Sequence, residues 1–416
     1  MNAPVPLILY VPGLLPKPPA GVHLAALRRC LVEGVRRSDP AVAKSLRAHD
    51  DAMDIVAWTW DFYGEHRDIG RDAAAIDDVI EDAGLTEGPV AMRDRDNWQV
   101  PRKIVVRDGY GIVERLAAAF PELDVVGVPS AAEAAMAASD ADAVIGFCSD
   151  DIATRGKRVS WIQIFSSGAE NCLEVDAVRD DSILLTNMQK MASPVIGEHA
   201  VAMMMSLARG LVPYAKAMPQ GQWDRQPASG DTMRSLSGKT VLVVGLGGIG
   251  TAVARRADGL GMRVLATRNS SREGPAFVDY VGLSDELLEL AARADVVVNA
   301  LPLTPATTNL FDKAFFDAVK PGALFVNVAR GASVVTDDLV AALEDGRIAG
   351  AGLDVTEPEP LPSDHVLWRM DNVIITPHVA GSGSERDHYP VVFEENVRRF
   401  IAGEALLNVV DPVRGY

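Results

Sequence analysis

Cysteine is scarce: Cys30, Cys148 and Cys172 show no paired spacing, and none of the seven histidines joins them in a ligand cluster. This argues against a disulfide framework and leaves no metal centre to read, as in a reduced cytoplasmic protein. Basic residues are in deficit, 40 Lys and Arg against 57 acids, for a formal net charge of -17. That balance argues against a nucleic-acid footprint, and an anionic substrate would need locally placed positive groups. No apolar run reaches membrane-spanning length. The opening MNAPVPLILYVPGLLP has several prolines and no basic leader, so it reads as a buried strand rather than an export signal. What is present is 48% hydrophobic residue content with 35 Gly and 25 Pro over 416 residues, enough for two or three compact domains.

The chain is organised around residues 238–272, GKTVLVVGLGGIGTAVARRADGLGMRVLATRNSSR. A β-branched run at 240–244 predicts a buried strand. Gly245, Gly247 and Gly250 follow at GxGxxG spacing, then an Ala-rich helical segment and a second apolar run at 262–266. Gly245 permits the tight turn, Gly247 admits a pyrophosphate to the backbone, and Gly250 lets helix and strand pack closely. The helix N-terminus offers unpaired amides to phosphate. Gly248 and Ile249 complete the turn. NAD sites usually carry an acid about twenty residues after the first glycine. Here the chain reads Thr267, Arg268, Asn269, Ser270, Ser271, Arg272. A carboxylate would repel a 2′-phosphate, whereas the planar fork of Arg268 can pair with one, assisted by Asn269, Ser270 and Arg272. NADP(H) is the favoured cofactor, with NAD possible.

Residues 1–100 are the least legible. Strands are predicted at 7–11 and 55–60, helices at 23–36 and from 72, and Val56, Trp58, Trp60 and Phe62 alternate onto one face. Residues 84–100 resemble a linker. From 103 onward strands are predicted at 104–106, 125–128, 143–145, 162–165 and 183–185, with helices at 112–119 and 131–138. The loop 166–171 lies at the carboxyl end of the fourth strand, where open α/β sheets bind ligands. A buried helix spans 197–209, with Glu198 and His199 in its first turn. Later strands fall at 296–299, 324–327, 350–353 and 373–376, and helices at 283–292, 313–319, 337–344 and 389–402, before an extended tail at 405–410. The alternation predicts an α/β fold with parallel sheets covered on both faces.

Six ordered motifs carry a family resemblance: PVIGEHAVAMMMSLAR at 194–209, VVGLGGIG at 243–250, NALPLTPATTNLF at 299–311, VNVARG at 326–331, GLDVTEPEPLP at 352–362 and ITPHVAG at 375–381. Over roughly 103–416 the chain resembles the D-isomer-specific 2-hydroxyacid dehydrogenases. The resemblance implies two Rossmann-like domains with cofactor and substrate in the cleft between them. Residues 101–207 with 381–416 would form the substrate-binding domain, 208–380 the dinucleotide-binding domain, and 1–100 an added N-terminal α/β module. It also implies a homodimer.

The resemblance further implies His378 as the proton donor to the developing alkoxide, Glu359 as its paired acid, and Arg330 as the group that binds substrate carboxylate and polarises the carbonyl. These residue types suit the chemistry: imidazole titrates near neutrality, and a guanidinium offers paired donors in a fixed plane. Ser167 and Gly168 match the loop whose amides clasp the carboxylate, and Phe147 is a candidate wall setting side-chain size. Cofactor contacts are expected at Asn299, Leu301, Pro302, Thr304, Val328, Ala329, Asp354 and Gly381, with Asp354 beside the nicotinamide. Glu359 stands where the formate dehydrogenase branch typically has glutamine, which favours reversible ketone and alcohol chemistry. The chain does not continue past Tyr416 into a regulatory domain of the kind seen in many phosphoglycerate dehydrogenases. The expectation is an NADP(H)-preferring reductase of a small 2-oxo acid such as glyoxylate or hydroxypyruvate. The alternatives are an NAD-linked member acting on a bulkier or phosphorylated acid, and a corepressor-like nucleotide-sensing interaction protein.

Overall fold

Short runs rich in β-branched and apolar residues, buried on both faces, build two all-parallel sheets. The computed structural model describes residues 85–109, 111–221, 223, 233–383 and 389–415. The chain divides into compact units at 1–72 and 73–416, and every described residue belongs to the second. The elements and the aromatic face predicted within 1–84 therefore lie outside the described residues.

The first sheet contains β1 (Lys103–Arg107), β2 (Asp124–Val128), β3 (Ala143–Ile145), β4 (Trp161–Gln163) and β5 (Leu184–Thr186), in the order β2-β1-β3-β4-β5. The second contains β6 (Thr240–Val244), β7 (Arg263–Thr267), β8 (Tyr280–Gly282), β9 (Val296–Asn299), β10 (Ala323–Asn327), β11 (Ile348–Leu353) and β12 (Val373–Ile375), in the order β12-β11-β10-β9-β6-β7-β8. Each order reverses once, between β1 and β3 and between β6 and β9. Those are the switch points where such sheets open a ligand crevice at their carboxyl ends. The α/β expectation holds.

The long helix (Ser193–Ala208) packs on the second sheet and on the glycine-turn helix (Gly248–Gly259). Small residues make the approach possible: a Cβ on Gly197 would stand 2.9 Å from Ala252 Cβ, and one on Gly352 2.9 Å from Met203 Cβ. The long helix begins at Ser193, with Pro194 in its first turn. Glu198 and His199 thus sit in its second turn, not its first. The C-terminal helix (Tyr389–Ala402) lies on the first sheet. Its Phe400 ring is 5.0 Å from Trp161 and its Phe393 ring 5.0 Å from Phe165, while Asn396 Nδ2 donates to Gln163 Oε1 at 2.8 Å.

The linker reading of 84–100 is corrected. Leu85 and Met92 are buried, Glu87 bridges Leu407 antiparallel, and Trp98 Nε1 donates to Phe400 O at 3.0 Å. A few apolar anchors and backbone pairing dock this stretch, so it carries no periodic pattern. The edge strand β8 was not predicted, since three residues are too few to show alternation. Predicted strands at 262–266, 162–165 and 183–185 are each displaced by one or two residues in the structure.

The second sheet is tied at its base by Asp295, which accepts from Thr240 N at 2.9 Å and pairs with Lys320 Nζ at 2.6 Å. Burial pushes this carboxyl up, but the Lys320 and Thr240 hydrogen bonds outweigh it and hold the group below its ordinary 3.8. A depressed folded value contributes stability above pH 3.8 that is lost as pH falls through the folded value. Thermal melts of the wild type and Asp295→Asn between about pH 5 and 3 should therefore show a gap in Tm that narrows as pH falls.

Candidate active site

The glycine turn after β6 has the geometry its spacing predicts. Gly245 adopts φ 95, which a side chain would strain, and its Cα lies against the Ala300 carbonyl. A Cβ on Gly250 would overlap Gly245 O, so helix and strand could not close with any larger residue. Among the described residues, none beyond the chain neighbours of Gly247 has an atom within 4 Å of where its Cβ would be, and the turn lies at the switch point between β6 and β9.

After β10, Arg330 is held by its backbone. Its carbonyl accepts from Asn327 Nδ2 at 3.0 Å and from Ser333 Oγ at 2.7 Å. Asn299 Nδ2 bonds Asn327 Oδ1 at 3.0 Å and Ser333 Oγ at 2.8 Å, so a buried trio fixes the turn. The Arg330 guanidinium reaches the loop after β4: Nε pairs with Glu170 Oε1 at 2.9 Å, and a Cβ on Gly168 would overlap Nη2. That loop is itself clasped. Ser167 Oγ donates to Met188 O at 3.0 Å, and Asn187 Nδ2 donates to Ser167 O at 2.7 Å.

After β12, His378 Nδ1 lies 2.7 Å from Glu359 Oε1, which comes from the loop after β11. His378 occupies the left-handed region at φ 54 and is kept there by Asp354. The His378 N–H donates to Asp354 O at 2.7 Å. Asp354 Oδ1 accepts from Val379 N at 2.9 Å and Thr376 Oγ1 at 2.6 Å, and Oδ2 accepts from Ala380 N at 2.9 Å. His199 Nε2 stands 2.9 Å from Thr376 Oγ1. Because that hydroxyl gives its proton to Asp354, His199 Nε2 is the donor.

A family model described as the D-isomer specific 2-hydroxyacid dehydrogenase NAD binding domain matches residues 201–380. The chain is 33% identical over 277 residues to the glyoxylate reductase of Pyrococcus furiosus, covering 64% of this chain and 81% of that protein. The chain belongs to the D-isomer-specific 2-hydroxyacid dehydrogenases. It is also 44% identical over 181 residues to an uncharacterized protein of Corynebacterium melassecola, spanning 43% of this chain and 59% of that one. Among solved structures it is similar to the NADPH-dependent glyoxylate/hydroxypyruvate reductase of Sinorhizobium meliloti in complex with NADP and sulfate. There the TM-score is 0.66 and the identity 26%, covering 76% of this chain and all of that one.

The protein is thus an NAD(P)-dependent oxidoreductase, and the structure shows what several residues expected at the site of this dehydrogenase bond to. Asn299 is fully buried in the trio that supports Arg330. Arg272 pairs with Glu286 at 2.7 Å and with the Tyr280 hydroxyl at 2.9 Å. The carboxylate oxygens of Asp354, expected beside a nicotinamide, face the 376–380 backbone. Thr304 bonds within its own turn, where its N–H donates to Thr307 Oγ1 at 2.7 Å. Phe147 is half-buried with the Arg107 guanidinium 5.5 Å above its ring. Glu170 and Asn171 lie in a one-turn helix rather than a loop.

Sequence reasoning missed three residues. Glu170 was passed over as part of a loop. His199 is placed by the sequence in the long helix but given no role there. Lys190, at φ 72, packs its Cγ 3.0 Å from where a Cβ on Gly248 would stand, and burial lowers its amine below the ordinary lysine range.

Asp354→Asn would set an amide donor against a backbone N–H and leave a buried group unpaired, at a cost of about 1–3 kcal/mol. Hydrogen exchange at Val379 and Ala380 should then quicken roughly tenfold or more, while β6–β10 stay protected. Unchanged exchange at those two amides would show that the carboxylate does not hold the loop.

Proposed function

We propose that this dehydrogenase is an NADP(H)-preferring reductase of small 2-oxo acids of the glyoxylate or hydroxypyruvate kind. The observation that carries the reading is the His378–Glu359 pair at 2.7 Å, on the loops after β12 and β11, with an arginine set against Gly168 on the loop after the neighbouring β10. An ionised carboxylate only accepts, so Nδ1 of the imidazole bears the proton and Nε2 is left for a substrate oxygen. In the reducing direction Nε2–H of the charged ring passes its proton to that oxygen as negative charge develops there. In the oxidising direction the neutral ring takes it back. Arg330 orients the substrate carboxylate and stabilises the developing oxyanion, and the backbone of Ser167 and Gly168 clasps the same carboxylate.

The residues present fit a dinucleotide. The open Gly247 turn and the N-terminus of the twelve-residue helix behind it suit a pyrophosphate. When bound, a reduced nicotinamide supplies the hydride. No carboxylate stands at 267–272 to repel a 2′-phosphate, and Arg268, Asn269 and Ser270 follow β7, with Arg268 Nη1 donating to Glu273 O at 3.1 Å; a guanidinium there can pair with a phosphate. The names of the Pyrococcus and Sinorhizobium relatives support the substrate class, and the NADP in the latter supports the cofactor.

Purified protein should oxidise NADPH with glyoxylate or hydroxypyruvate. His378→Gln should lower kcat roughly a hundredfold or more with little change in KM, whereas Arg330→Gln should raise KM and lower kcat together. A protein that binds NADPH yet reduces no small 2-oxo acid overturns the reading. Arg268→Ala should raise KM for NADPH roughly tenfold while leaving KM for NADH unchanged. Equal effects on both cofactors would remove the 2′-phosphate role.

A further inference from the structure

Among the described residues, Glu170 is the carboxylate paired with Arg330, and nothing in the reaction just derived uses it. Its position is built rather than incidental. The one-turn helix Glu170–Leu173 is anchored by buried Ala169 and Cys172, and the preceding loop is tied by the Ser166, Ser167 and Asn187 hydrogen bonds. Glu170 Oε1 holds the Nε edge of Arg330 at 2.9 Å, while Arg330 Nη1 donates to Ala329 O at 2.8 Å. A side chain on residue 168 would meet both Arg330 Nη2 and Glu170 Oε2, so the two groups converge over the bare Cα of Gly168. An anion that approaches the guanidinium therefore meets it with Glu170 already against its Nε and Nη2 side.

We propose that Glu170 is a selectivity-determining residue that positions Arg330 and sets the charge of the acceptor, admitting 2-oxo acids with one negative charge and disfavouring those with a second carboxylate or a phosphate. The inference rests on the 2-oxo acid reading above. The pair carries no net charge, so a single carboxylate is held by the directed hydrogen bonds of the guanidinium and of the loop amides rather than by surplus charge. A second anionic group in the same cleft adds repulsion from Glu170 with no further compensation from that pair.

The test uses full-length protein and a matched substrate pair, hydroxypyruvate and its 3-phosphate, with NADPH. Wild type should favour hydroxypyruvate. In Glu170→Gln the ratio of the two kcat/KM values should fall roughly tenfold or more, and in Glu170→Asp, which keeps the charge, it should stay within about threefold. A uniform loss on both substrates, or a wild type that prefers the phosphorylated acid, overturns the proposal. Calorimetric titration of the NADPH-bound protein with oxamate and oxalate reads the same preference without turnover. Glu170→Gln should tighten oxalate relative to oxamate roughly tenfold or more, and an unchanged ratio overturns the proposal. If neither oxo acid is reduced, the reductase reading falls, and the two titrations still decide the role of Glu170.

Discussion

A single buried carboxylate holds the loop that carries His378 in shape. Asp354, only 2% exposed at the end of β11, receives two backbone N–H groups and a threonine hydroxyl from the loop after β12. A non-glycine residue in the left-handed region costs about 1–3 kcal/mol and persists only where its surroundings over-determine it. Here the surroundings do so: His378 N–H is bonded to Asp354 O, and His199 from the long helix closes the ring through Thr376. The imidazole that faces Glu359 is therefore held in place by groups other than Glu359.

The same economy governs the arginine. Arg330 gets its backbone position from Asn299, Asn327 and Ser333, inside the second sheet, and its side-chain position from Glu170 and Gly168, which follow β4 of the first. The cleft is thus a meeting of loops from the carboxyl ends of strands in both sheets. A chain with a net charge of -17 places there an arginine whose charge is matched by Glu170, so the local balance of charge differs from the global one.

The sequence made much of this legible, for definite reasons. Strands at the centre of parallel sheets are buried on both faces and appear as unbroken apolar runs, so β1, β6, β9 and β10 could be read closely. The glycine turn was legible because each glycine answers a separate steric demand, and Gly245 and Gly250 meet those demands in the structure. Elements whose stability comes from elsewhere were not. Residues 85–100 owe their order to backbone pairing with Glu87–Leu407 and to Trp98 on Phe400, partners some three hundred positions away. Asn299 looked like a contact residue because it stands in a loop motif, yet its amide serves Arg330. Arg272 looked available for a phosphate, yet Glu286 was close enough to claim it.

By itself, then, the sequence determined the α/β class, the dinucleotide turn and the membership of a dehydrogenase family, because those follow from local periodicity and from short motifs that hold their geometry wherever they occur. Only the tertiary structure decided which charged groups face one another. Glu170 and Arg330, or Asp354 and the 376–380 loop, are brought together by the stacking of whole sheets and helices. That stacking depends on close packing across the fold, and no spacing along the chain encodes it.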